Sequence, residues 1–360
     1  MRGPERVLAY PWYADNPWQS MLYARLPEHG AEVVPLADVA GLTEALREER
    51  TPGSTVLHLN WTAPISQSTP DLALAAWQVR SVLDATDAFR ARGGTVVWTV
   101  HNVLPHEPHH LGPELALCRG LAERADRVMV MNPDTAALAS RWYRLPPERT
   151  TVVPHPSYLG RFADDVDRAT VRERLGLGES ERVLLHLGQI RPYKGLDLLA
   201  EAYRRARESD PDLRLLVAGA PGPGADLERT RELLDDLPGV VASLGRVEDD
   251  DVQVWMRAAD AMVLPYRAAL NPSLVWLAAT YGLPVLLPDV PALRSLAGPD
   301  WVRTFPPTAP GLAAALRAVA SPPPGPVAAA AAADARAVAP EVVAARFAEM
   351  VREIAVPAPR

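Results

Sequence analysis

The sequence predicts an α/β protein of two doubly wound domains, each built on a parallel sheet. Three observations carry this. Short β-branched runs recur along the chain, each followed by helical spacing, which is the rhythm of βαβ units. The rhythm breaks once, over a polar and irregular stretch from Pro154 to Asp167, and then restarts. At 360 residues, 48% hydrophobic and 22% charged, the chain is longer than one ordinary domain and rich enough in apolar side chains to fill two cores.

The first series of expected strands is Arg6–Tyr10, Ala31–Leu36, Thr55–Asn60, Thr95–His101 and Arg127–Met131. The second is Arg182–Leu187, Leu213–Ala218, Val240–Leu244, Ala261–Pro265 and Pro284–Pro288. With the join near Pro154 to Phe162, the expected domains are 1–158 and 159–326. From Gly195, Leu196, Leu199, Tyr203 and Ala206 fall on one helical stripe while Glu201, Arg204, Arg205 and Glu208 stay in water. Ser321 to Pro326 reads as a stiff extended spacer, because its prolines cannot continue a helix. The residues 327–360 form an expected terminal helical segment docked on the body. In it, Ala328–Ala333 favours helix but buries little, and Val343, Phe347, Met350 and Ile354 restore an amphipathic stripe.

Composition excludes several function classes. Lys+Arg 37 against Asp+Glu 44 gives a net charge of −7, so no global basic field holds nucleic acid or an anionic bilayer. Cys118 is the only cysteine, which rules out an internal disulfide framework and a thiolate zinc site. No apolar run reaches the roughly 18 residues of a spanning helix, and the start, Met1 to Arg6 followed by Val7, Leu8 and Ala9, lacks a secretory core. A cytoplasmic protein with at most peripheral membrane contact is expected. The phosphate-loop and nucleophile-elbow motifs are absent, and no Gly-x-Gly-x-x-Gly follows the first strand, which disfavours nucleoside triphosphatase, serine hydrolase and NAD enzyme readings.

Ligands of open parallel sheets bind beyond the carboxyl ends of the strands. After Arg182–Leu187 comes Gly188-Gln189-Ile190-Arg191-Pro192-Tyr193-Lys194-Gly195, two cations and two glycines at a strand-to-helix turn. A helix start offers N–H groups and partial positive charge, and Arg191 and Lys194 can neutralise a diphosphate beside it. On a plainer reading they are solvated cations at a surface turn. A second turn, Tyr266 to Leu274, leads into a helix from Val275 to Tyr281, with Asn271 the expected N-cap and Pro272 the first helical residue. Its N–H groups would serve the same anion.

The first half has its own cluster. His101-Asn102-Val103-Leu104-Pro105-His106-Glu107-Pro108-His109-His110 holds four of the eight histidines and one carboxylate. Metal binding is one reading, although the prolines leave no assured i, i+4 pair. Acid–base or hydroxyl-orienting chemistry by His101, His106 and Glu107 is another, and hydrogen-bonded loop structure a third. Trp12, Tyr13 and Trp18 in the earliest turn, and Asn60-Trp61-Thr62 after the third run, suit stacking on a sugar and equally suit closure of a core edge.

Taken together, these residues resemble the nucleotide-sugar glycosyltransferases of the GT-B fold, most of all family 4 and its bacterial exopolysaccharide and mannosyltransferase relatives. The resemblance covers nearly the whole chain. It rests on Leu187 to Gly195, on Ala259-Asp260-Ala261-Met262-Val263-Leu264-Pro265-Tyr266, on Tyr281-Gly282-Leu283-Pro284-Val285, and in the first half on Asn16-Pro17-Trp18, His58-Leu59-Asn60-Trp61 and Trp98 to Glu107. It implies two Rossmann-like domains facing across a cleft. The second would hold a nucleoside diphosphate sugar through Gly188, Arg191, Lys194, Asn271, Pro272, Ser273 and Leu274. The first would present a small-molecule, glycolipid or saccharide acceptor through Asn16, Trp18, Asn60, Trp61 and Asn102, with His101, His106 and Glu107 lining the reacting centre.

The implied activity is hexosyl transfer with retention, needing no metal and no cofactor beyond the sugar nucleotide. One departure stands out. The family has two glutamates separated by seven residues around the second donor turn, and this chain has Ala269 and Leu277 there. That leaves two alternatives, a non-catalytic sugar-nucleotide or protein-binding module and a sugar-nucleotide epimerase.

Overall fold

The computed structural model describes residues 3–354; Met1 and Arg2 of the expected first domain and residues 355–360 of the expected terminal segment lie outside the described residues. The strands are β1 (Arg6–Tyr10), β2 (Glu32–Pro35), β3 (Thr55–Leu59), β4 (Thr95–Val100), β5 (Arg127–Val130), β6 (Thr150–Val152), β7 (Arg182–Leu187), β8 (Leu213–Ala218), β9 (Val240–Ser243), β10 (Ala261–Val263), β11 (Val285–Pro288) and β12 (Val302–Phe305). They form two six-stranded sheets, ordered β2-β1-β3-β4-β5-β6 and β12-β11-β10-β7-β8-β9, and every pairing is parallel. Both are parallel sheets of the kind the sequence predicts.

Two edge strands, β6 and β12, escape the sequence pattern. The first is three residues long and exposes Val152, and the second buries Val302 and Phe305 but exposes Arg303 and Thr304. Neither reads as alternation or as a buried run.

The chain divides into two compact units. One runs to Pro156 and takes the chain up again at Pro340; the other is Ser157–Ala339. The expected terminal segment is therefore split. The helix Gly325–Ala337, which absorbs the last two residues of the expected spacer, packs on the helix Ser273–Thr280 within the second unit. Its small Ala331 and Ala335 are buried, and Trp301 Nε1 donates to Asp334 at 2.7 Å. The helix Pro340–Ile354 packs on the helix Pro17–Tyr23 of the first unit, setting Phe347 against Tyr23 and His58 at 5.5 and 5.0 Å between ring centres.

In the first unit, alternate residues of the strands, Leu8, Leu57, Val96 and Trp98 among them, meet Leu42, Val82, Phe89 and Leu121 from the helices. In the second, Leu184, Leu215 and Val263 meet Leu199, Tyr203 and Leu312. Beneath the second sheet lies a buried ionic anchor. Asp260, fully buried just before β10, accepts from the β7 amide of Val183 at 2.7 Å and pairs with Arg172 at 2.8 Å and with Arg168, both on the helix Arg168–Arg174. Among the described residues no helix is long and apolar enough to cross a membrane.

Candidate functional site

In the second unit the carboxyl ends of β7 and β10 converge on Gly188. Its φ is +96°, in the left-handed region that glycine tolerates. A Cβ there would lie 3.2 Å from the Lys194 ammonium and 3.3 Å from the Leu274 side chain, so bare backbone lets the cation and the second turn close in. The chain then passes through the 3-10 turn Pro192–Lys194 to Gly195, whose φ is +71° and whose Cβ would sit 2.2 Å from the carbonyl oxygen of Pro265. Only glycine fits between the two turns.

Arg267, which sequence reasoning passed over, fastens them. Its amide donates to the Tyr193 carbonyl at 2.8 Å, and its guanidinium donates to the Pro192 carbonyl at 2.9 Å and to the carboxylate of Asp197.

Lys194 is 8% exposed, and no carboxylate among the described residues pairs with it. Burial, with Arg191 adding repulsion, lowers its pKa to about 8. Its ammonium lies 5.8 Å from the centre of the Tyr266 ring, and the Arg191 guanidinium 5.6 Å from that of Tyr193. A desolvated ammonium without an anion is costly, and an arriving diphosphate removes that cost.

His186 on β7 lies beneath. It is fully buried, and its Nδ1–H donates to the Val263 carbonyl at 3.2 Å, tying β7 to β10. Burial, with the Lys194 charge adding to it, pushes its pKa down to about 4, so the ring is neutral at pH 7. No periodicity singles out such a residue in a buried strand.

The helix of the second turn spans Ser273–Thr280. Here the expected cap is corrected: Pro272, extended at φ −71° and ψ 100°, occupies the N-cap position, and no side chain caps the helix. The helix begins one residue later than a cap by Asn271 requires. The Ser273 hydroxyl lies within hydrogen-bonding reach of the Tyr158 oxygen, and Leu274 reaches Gly188. The first-turn N–H groups are thus left uncapped by side chains. Leu277 is buried and Ala269 partly exposed.

In the first unit, Asn16 caps the helix Pro17–Tyr23 by accepting from the Trp18 amide at 3.0 Å. Trp18 is buried, edge-on to His101 at 4.5 Å, while Trp61 stacks on His101 at 4.1 Å between ring centres. Burial, with His155 and His58 adding to it, holds the His101 pKa well below the ordinary imidazole value, so its ring is neutral at pH 7. Asn60 is buried too. Its amide nitrogen donates to the Tyr23 hydroxyl at 3.1 Å, which bonds His58 Nδ1 at 2.7 Å, and His58 Nε2 bonds the Thr99 hydroxyl at 2.7 Å.

A small cavity is walled by Asn60, Trp61, Thr99, His101 and Asn102 among others. His106 and Glu107 are not among its walls; they sit on the loop beyond, His106 partly and Glu107 largely exposed.

Behind Trp61 is a second residue missed from the sequence, Glu114. It is buried and accepts from the hydroxyls of Thr62, at 2.6 Å, and Ser66, with the Cys118 thiol at 3.4 Å. The signal was present, since Glu114 stands on the apolar stripe of Leu117, Cys118 and Leu121. Among the described residues no group of three or more His, Cys, Asp or Glu side chains could hold a metal ion.

Residues 181–322 match the family model described as glycosyl transferases group 1. Over 290 residues the chain is 28% identical to the GDP-mannose:glycolipid 4-beta-D-mannosyltransferase of Xanthomonas campestris pv. campestris, spanning 80% of this chain and 74% of that protein. It is 37% identical over 180 residues to the D-inositol 3-phosphate glycosyltransferase of Geodermatophilus obscurus, covering 48% of this chain and 40% of that one. Among solved structures, sucrose-phosphate synthase from Thermosynechococcus elongatus superposes with a TM-score of 0.74 at 18% identity, covering 98% of this chain and 99% of that one. HepE of Anabaena in complex with UDP superposes at 0.72 and 14% identity, covering 97% and 100%. At those identities the structural likeness speaks for the fold.

Proposed function

We propose, because this chain belongs to the group 1 nucleotide-sugar glycosyltransferases of the family 4 type, that it moves a hexosyl group from a nucleoside diphosphate sugar to a hydroxyl of a glycolipid or small saccharide acceptor, with retention. The observation that carries the donor half is Lys194, a buried ammonium beside the bare backbone of Gly188 with no carboxylate partner among the described residues. Negative charge grows on the departing diphosphate as the glycosidic bond breaks. Preorganised cations stabilise that charge more than they stabilise the ground state. Lys194 and Arg191 supply it from one turn, and the uncapped amides of Ser273 and Leu274 from the other. The acceptor half rests on the cavity beside His101, where Trp61 and Asn102 would bind the acceptor and the neutral imidazole would orient its hydroxyl by a hydrogen bond. His106 and Glu107 are proposed to act from the adjoining loop.

A thermal-shift panel of UDP, GDP, ADP and dTDP tests the donor half. One nucleotide at about 100 times its Kd should stabilise the protein by about 2.7 kcal/mol, and Lys194→Ala should abolish most of that shift. A panel in which none of the four moves the melt would contradict the assignment. The replacement of the family glutamates by Ala269 and Leu277 favours a second reading, a binding module. It predicts saturable donor binding with no nucleoside diphosphate released in the presence of any acceptor.

A further inference from the structure

The first unit holds a buried hydrogen-bond relay that ends at the cavity beside His101. Its middle is His58, fully buried on β3 and covered by Phe347, whose ring stacks on it at 5.0 Å. Burial pushes the His58 pKa down to about 3, so at pH 7 the imidazole has one N–H and one acceptor nitrogen. Each nitrogen meets a hydroxyl at 2.7 Å, Nδ1 that of Tyr23 and Nε2 that of Thr99.

Two amides set the direction of the relay. Asn60 Nδ2 donates to the Tyr23 oxygen at 3.1 Å, and the Gln19 amide lies within hydrogen-bonding reach of the same oxygen. Gln19 is itself fixed by the backbone, its Oε1 accepting from the Tyr13 amide and its Nε2 donating to the Pro11 carbonyl, both at 2.8 Å. With donors on its lone pairs, Tyr23 gives its own hydrogen to His58 Nδ1. The imidazole hydrogen therefore sits on Nε2 and goes to the Thr99 oxygen, which leaves the Thr99 hydrogen to be given elsewhere.

Three residues of the cavity wall thus carry a polar group that no other described residue satisfies. Asn60 Oδ1 and Trp98 Nε1 are buried without a hydrogen-bond partner, and the Thr99 hydroxyl has a donor in His58 but no acceptor. Asn60 and Trp98 are 1% exposed and Thr99 not at all, so each unmet group keeps its full desolvation cost. The cavity measures about 30 Å³, room for a hydroxyl and not for a sugar ring. Its wall offers one acceptor and two donors. A carbonyl or phosphate oxygen has no hydrogen for Asn60, and an ammonium has no lone pair for Thr99 or Trp98, whereas a hydroxyl supplies both.

We propose that Asn60, Thr99 and Trp98 seat one hydroxyl of a neutral saccharide acceptor, with Tyr23 and His58 as positioning residues that hold the Asn60 and Thr99 groups in that polarity. This rests on the transferase reading and narrows its acceptor half to a sugar that presents a free hydroxyl.

The test is calorimetric titration of the full chain, with UDP or GDP present, by the methyl glycosides of glucose, mannose and galactose. At least one should bind the wild type. Thr99→Val should weaken that binding at least tenfold, Thr99→Ser should keep it, and the nucleotide thermal shift should be the same in all three proteins. In a crystal soaked with the glycoside, one of its hydroxyls should lie within about 3.2 Å of both Asn60 Oδ1 and Thr99 Oγ1. Nitrogen NMR of the histidine-labelled protein should show His58 protonated at Nε2, and Tyr23→Phe should weaken glycoside binding. Four results would overturn the proposal: no glycoside bound by the wild type, equal binding by Thr99→Val, a water in the seat that the glycoside leaves in place, or His58 protonated at Nδ1, which would reverse the relay. Any of these with an intact nucleotide shift leaves the donor half standing, and loss of the shift with the glycoside still seated does the reverse.

Discussion

Replacing Lys194 by alanine is expected to cut sugar transfer at least tenfold while leaving the melting temperature unchanged or higher. The Lys194 pKa lies at about 8 against an ordinary 10.5, which corresponds to roughly 3 kcal/mol of folding free energy lost to holding a desolvated ammonium without an anion. Below pH 8 both the folded and the unfolded chain carry the proton, and the whole penalty applies.

Between pH 8 and 10.5 the unfolded chain binds more protons than the folded one, so this group's penalty falls as pH rises through that window. The stability difference between wild type and Lys194→Ala should therefore shrink from pH 8 upward, as read by melting curves across that range. Binding of a nucleoside diphosphate should be accompanied by proton uptake near pH 8 to 9, visible in calorimetry as a dependence on the ionisation enthalpy of the buffer. Unimpaired transfer by Lys194→Ala would remove this residue from the mechanism.

The second large effect is on stability. Asp260→Ala should destabilise the second unit by about 3–5 kcal/mol, because it strands the buried guanidinium of Arg172 and leaves the Val183 amide without its acceptor. For a unit of this size the melting temperature should fall by roughly 10 °C. Differential scanning calorimetry measures it. Adding Arg172→Met should recover part of the loss, since the cost lies in the uncompensated charge rather than in the missing pair. A loss under about 1 kcal/mol would show that water reaches Arg172 and that the anchor is not dry.

The parallel sheets were readable because their central strands are buried on both faces and spell continuous apolar runs, as Arg182–Leu187 and Thr95–Val100 do. Of the four edge strands, β6 and β12 were not, since they are short and half in water. The destination of the terminal segment was also hidden. Its apolar stripe shows that Phe347 packs on something, but only the fold shows that it returns to Tyr23 and His58 in the first unit.

At the donor turns the cations and glycines were legible from strand-end position, whereas Arg267 and His186 required knowing that β7 and β10 are neighbours. The aromatic turn was ambiguous for a physical reason. Trp18 both closes a core edge and forms a wall of the His101 stack, so a residue that suits either role cannot be assigned to one from sequence.

The central claim is that the turn after β7 holds a diphosphate. A crystal structure with a bound sugar nucleotide tests it most directly: the diphosphate oxygens should lie over Gly188 within hydrogen-bond distance of the Lys194 ammonium. A nucleotide bound elsewhere, with Lys194 still without an anion, would contradict it.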